Sequence, residues 1–133
     1  PSMAPWELFW LLQRIAQARN DTEQVERWRA ATQEAFARST QAASLRARWQ
    51  PIIAALAKTA QGEAMDADLA RSLEEMEQME QWRALGDIFW RILSGERGEH
   101  LWRNLDHVEA FLVQMLLDEL SKSETSDEAT PSI

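Results

Sequence analysis

From Trp6 to Leu120 the apolar residues of this chain recur at helical spacing, and no segment alternates with period two over a useful length. That pattern leaves room for helices and little else. Ala, Leu, Glu, Gln and Arg dominate, the residues that lose least on entering a helix. Only four Gly and four Pro interrupt 133 residues, and Gly62, Gly95 and Gly98 fall between periodic segments, where glycine ends helices. The reading is an all-α domain of about six antiparallel helices over residues 3–120, followed by a polar tail, 121–133, expected to be disordered.

The helices can be placed from their stripes and caps. Helix 1 is expected over about 6–19, with Pro5 at its start, where a missing N–H costs nothing. Asp21 with Gln24 forms a capping box for helix 2, whose apolar stripe is Val25, Trp28, Thr32, Ala35 and Phe36. A break is expected near Ser39-Thr40. Helix 3 then carries Leu45, Trp49, Ile52 and Leu56, with Pro51 set to kink it or to start a new helix. Helix 4 follows Asp66 with Leu69, Leu73 and Met76. Helix 5 covers 82–94 and is closed by Gly95. Asp106-x-x-Glu109 is a second capping box, opening helix 6 at 107–120. Helix 6 is apolar on more than one face, through Val108, Phe111, Leu112, Met115, Val113, Leu117 and Leu120.

An internal repeat is visible. Residues 56–73 align with 89–106 so that Gly62-Glu63 falls on Gly95-Glu96, and both glycines are expected to close a helix through a left-handed turn. Within helix 5, Trp82-x-x-Leu85-Gly86-x-x-Phe89 resembles the first helix of a tetratricopeptide (TPR) repeat, with Phe for the usual Tyr. The match does not extend through a full unit: the later small position falls on Gly98, the following aromatic on Trp102, and the closing proline is absent. Residues 49–120 as a whole, with the Trp-x-x-Leu helix, the Ile-Leu-x-Gly-Glu-Arg turn at 92–97 and the Leu/Val-rich last helix, resemble the divergent TPR-like helical modules associated with bacterial STAND-type NTPases and caspase-like conflict systems. The resemblance implies helices stacked as TPR-like hairpins and a role in protein recognition rather than chemistry.

The residues themselves offer no catalytic constellation. The chain has no cysteine, so disulfides and thiolate metal sites are excluded. His100 and His107 flank an acidic loop with Glu96, Glu99 and Asp106, but their spacing fits no metal motif. Without strands there is no phosphate loop between strand and helix. The expectation is therefore a non-enzymatic protein with no cofactor, no metal and no small-molecule substrate. No apolar run suits a membrane span, and nothing resembles a secretion signal, which points to a cytoplasmic protein.

Charge is uneven. Residues 1–60 hold eight Arg/Lys against five Asp/Glu, and residues 61–133 hold six against seventeen. Such a split suits head-to-tail self-association or a charged partner. Arg27-Trp28-Arg29 and Arg46-x-Arg48-Trp49 could in principle grip a nucleic acid, but Trp28 lies on an apolar stripe and the net charge is −8, so no nucleic-acid partner is expected.

On a wheel at roughly 100° per residue, Leu8, Leu11, Leu12, Ile15 and Ala16 of helix 1 share one side, expected to face the core. Trp6 and Trp10 fall with Gln13, Arg14 and Gln17 on the other. In helix 5, Trp90 lies opposite the Trp82, Leu85, Ile88, Phe89, Ile92 stripe. Trp6, Trp10 and Trp90 are thus the candidate partner-binding residues. The expected function is an accessory or regulatory protein–protein interaction module of a bacterial signalling or defence system. The alternative is a small acidic immunity protein or antitoxin that blocks a basic toxin site with its acidic half.

Overall fold

The computed structural model describes residues 4–129, with side chains described as far as Lys122. Six helices follow in order: α1 (Pro5–Ala18), α2 (Thr22–Ala37), α3 (Thr40–Ala60), α4 (Ala67–Gln78), α5 (Glu80–Leu93) and α6 (His107–Ala129). A 3₁₀ turn at Glu99–Leu101 lies in the connection before α6, and no strand occurs among the described residues.

Of each expected capping box the N-cap half is present, and the Asp21 N–H goes to Ala16 O rather than to the Gln24 side chain. The Asp21 carboxylate accepts from the Gln24 N–H at 3.3 Å, and Asp106 Oδ1 accepts from the Glu109 N–H at 2.8 Å. Ser39 Oγ accepts from the Ala42 N–H at 3.1 Å, so α2 and α3 are separate helices divided at Arg38-Ser39. Pro51 neither ends nor restarts α3, which is continuous across it.

Gly62 and Gly95 have φ of 106° and 110°. Each closes its helix in the same way. The Glu63 N–H reaches Lys58 O and the Gly62 N–H reaches Thr59 O; the Glu96 N–H reaches Arg91 O and the Gly95 N–H reaches Ile92 O. This is the paired six-to-one and five-to-two bonding of a Schellman cap, which needs a left-handed residue where only glycine is free of a Cβ penalty. The 33-residue repeat is thus a repeat of cap geometry.

α6 sits at the centre. It packs chiefly on α3 and α2 and also touches α5, while α1 packs on α2 and α4 on α5. A helix that is apolar all round requires neighbours on several sides. Ala110, Phe111, Leu112, Val113, Met115, Leu116 and Leu120 are accordingly buried. α1 and α4 each pack chiefly on a single neighbour, which leaves both at the edge of the bundle.

Two expectations are corrected. α6 runs on to Ala129 rather than ending at Leu120, so the helix takes in residues 121–129; residues 130–133 lie outside the described residues. No Gly or Pro stands between Leu120 and Pro131, so nothing local stops a helix already nucleated. The second correction concerns α1, whose expected core face is turned outward.

Candidate functional site

In α1 the residues facing α2 are aromatic and small. Ala16 is buried, and Phe9 stacks on Trp28 with ring centroids 5.9 Å apart. Trp6 lies 5.3 Å from Phe36 and 4.7 Å from the His107 ring, so it ties α1 to both α2 and α6. Phe36 also meets His107 at 4.8 Å and Phe111 at 5.9 Å, completing a ring cluster at the junction of three helices. Burial holds the His107 imidazole below its ordinary pKa, against the opposing pull of Asp106.

The consequence is on the other side of α1. Leu8 is 51% exposed, Leu11 39% and Ile15 49%, and none of the three joins the core cluster. Only Ala16 of the expected inward arc is buried, and Leu12 is half-buried. Large flat rings bury more area against α2 and α6 than branched aliphatics would, so the aromatic arc goes in. The sequence candidates divide accordingly. Trp6 belongs to the chain's own packing. Trp10 is half-buried beneath the Arg14 guanidinium, which stands 5.0 Å from the ring centroid. Trp90 lies on the surface of α5, 37% exposed.

The TPR-like positions of α5 serve the core. Leu85 and Phe89 are fully buried, and Trp82 meets Trp49 of α3 at 5.9 Å. A Cβ on Gly86 would stand 3.6 Å from Met76 Cβ and 3.5 Å from Glu77 Cγ, so this glycine marks the close approach of α4. A groove of about 260 Å³ between α3, α4 and α5 is lined by Trp49, Ile52, Leu69, Leu73, Met76 and Trp82, with Met79 45% exposed. Glu74, Glu75, Glu77 and Glu80 are exposed on the same stretch of chain.

The acidic loop is knitted by ion pairs. Glu96 is bound by Arg91, whose Nε lies 3.0 Å from Oε1, and by His100 Nε2 at 2.7 Å from Oε2. The hydrogen bonds from Arg91 and His100 hold the Glu96 carboxyl below its usual range. Arg103 pairs with Glu99 at 2.5 Å. His107, in the ring cluster, takes no part. Among the described residues no group of three or more His, Asp or Glu side chains could hold a metal ion.

One residue carries weight without any signal singled out from the sequence. Gln33 is buried, and its Nε2 donates to the carbonyls of Trp102, Arg103 and Leu105 at 3.3, 3.2 and 2.8 Å. It fastens the loop before α6 to α2 and satisfies backbone groups that form no regular ladder. Its position, one after Thr32 on the inner stripe of helix 2, was the available hint.

Among the described residues these arrangements hold no positioned nucleophile, acid–base pair or phosphate cradle. No helix among the described residues is long and apolar enough to cross a membrane. No protein-family model, no curated protein and no solved structure matches the chain.

Proposed function

We propose that this chain is a non-catalytic, helical protein–protein interaction module whose partner docks on the outward face of α1. The observation that supports this is the row Leu8, Leu11, Ile15, each exposed by a third to a half on a helix whose main neighbour is α2 alone. Scattered apolar residues on a surface need no explanation, but a row on one helix face does. Covering the exposed parts of these three side chains is worth roughly 3 kcal/mol to a partner. The resemblance of residues 49–120 to modules of bacterial STAND-type NTPase and caspase-like systems supports an accessory or regulatory role in signalling or defence, in the cytoplasm.

The test is a photo-crosslinking residue introduced at Leu11 in the cells that make the protein, with Arg71 of α4 as control. A discrete adduct from Leu11 and none from Arg71 is the expected result. Equal or absent labelling at the two positions would overturn the reading.

A further inference from the structure

We infer that the partner on α1 is a second copy of this chain, packed antiparallel along α1 about a two-fold axis near Leu11. The inference rests on the docking role proposed for this face and adds the identity of the occupant.

Three features of α1 support it. First, the outward residues Ala4, Leu8, Leu11, Ile15 and Ala18 are spaced four, three, four and three. That is the a/d seam of a two-helix coiled coil, not the broader arc with which a helix beds onto a globular core. Leu8, Leu11 and Ile15 supply its aliphatic centre, and Ala4 and Ala18 leave the ends narrow enough for close approach.

Second, the charges beside the seam complement themselves. Glu7 and Arg14 lie on the same flank, one heptad apart. In an antiparallel pair like flanks face each other. At about 1.5 Å per residue, Glu7 stands roughly 6 Å to one side of Leu11 and Arg14 roughly 4.5 Å to the other. A two-fold axis at Leu11 therefore sets Glu7 of each copy beside Arg14 of the other, giving two equivalent ion pairs. A parallel pair would instead bring Arg14 against Arg19 on the facing flank, a like-charge contact. The pattern thus selects both the partner and its direction.

Third, the geometry closes. An isologous contact of this kind uses the same patch on both copies and ends at the dimer. α1 is an edge helix, so the rest of each molecule lies away from the contact. α1 is 14 residues long, and a single helix pair is at the small end of specific interfaces. Association on the order of 10 µM is therefore expected, rather than an obligate dimer.

The experiment is sedimentation equilibrium of the full chain at roughly 5 to 500 µM, followed by charge exchange. The parent should pass from monomer to dimer and stop there. Leu11→Asp should weaken dimerisation by more than about tenfold while leaving the thermal melt unchanged, as befits a surface position. Glu7→Arg and Arg14→Glu should each weaken self-association about fivefold, because each replaces two attractions with two repulsions. A mixture of those two variants should then form a mixed dimer at least as tight as the parent, and the double variant E7R/R14E should regain self-association. A chain that is monomeric at every concentration would overturn the inference. So would assembly beyond a dimer, a dimer indifferent to Leu11→Asp, or a mixture that shows no preference for the mixed pair. If the Leu11 adduct in cells has a mass other than twice the chain while the purified protein stays monomeric, self-pairing falls and the docking role stands. If there is no adduct and no dimer, both fall.

Discussion

α1 and α5 are equal in length, 14 residues each, and both are rich in tryptophan and aliphatic residues, yet they meet opposite ends. In α5 one apolar stripe, Leu85, Ile88, Phe89 and Ile92, goes wholly into the core, and the remaining face carries Arg83, Asp87 and Arg91 around the lone exposed aromatic Trp90. In α1 there are two apolar arcs, one aromatic and interleaved with Gln13 and Gln17, one aliphatic, with Glu7 and Arg14 between them. Only one arc can face α2. The aromatic one does, and the aliphatic one is left outside. A helix with one apolar stripe states its own orientation. A helix with two leaves the decision to its neighbours, and the arc that loses becomes a surface.

The largest test of this contrast is a matched pair of truncations. Phe89→Ala should cost about 3–5 kcal/mol, the usual loss for a fully buried aromatic. Leu11→Ala should change monomer stability by less than about 0.5 kcal/mol, measured by denaturant unfolding at a concentration below dimerisation. Similar losses at the two sites would mean that α1 is packed on both faces.

Gln33 tests how firmly the α1–α2 edge is joined to the rest. Gln33→Ala removes the side-chain donor to the carbonyls of Arg103 and Leu105, while Trp102 O keeps the Leu105 N–H, and should cost about 2–3 kcal/mol. Because α2 and α6 meet at this seam, the variant should also lose protection from amide exchange in residues 102–106 before α5 does. Uniform loss across the chain would contradict an edge that detaches first.

Much of this was legible beforehand, and the reasons differ by element. The six helices, the caps at Asp21 and Asp106 and the break near Ser39-Thr40 follow from local bonding that short stretches of chain carry entire. The glycine caps at 62 and 95 are equally local. The central place of α6 was readable from apolar residues on more than one face. The inward face of α1 was not, because the choice depends on the ring cluster Trp6–Phe36–His107, which brings together residues from three distant segments. Gln33 was hidden for the same reason, since its partners lie about seventy positions away. Periodicity alone assigns the stripe Leu8, Leu11 and Ile15 to the core and Trp6, which helps turn them outward, to the surface.

The smallest effect comes from Glu109 at the start of α6. Burial, with the neighbouring Asp106 carboxylate, pushes its carboxyl up to about 7. The folded value lies above the unfolded one of about 4.3, so the unfolded chain ionises first and stability falls as pH rises from about 4 to 7. Glu109→Gln removes that loss. At about pH 8 the variant should be more stable than the parent by roughly 1 kcal/mol, a figure reduced for partial exposure to solvent, and the advantage should vanish near pH 4. His107 titrates in the opposite sense, its lowered value withdrawing stability as pH falls, but it is common to both proteins and cancels in the comparison. A constant difference across the range would show that Glu109 is already ionised in the fold.

The claim that α1 turns an apolar seam to the outside can be measured directly, because the chain contains no cysteine and any introduced thiol is unique. Leu11→Cys and Leu85→Cys, labelled with a thiol reagent in dilute folded protein, should separate by several orders of magnitude in rate, since Leu85 is reached only by opening of the core. The thiol at position 11 should react at the rate of an exposed group, then slow as protein concentration rises and the second copy covers it. Protection of position 11 in the dilute monomer, to the degree seen at position 85, would contradict the account.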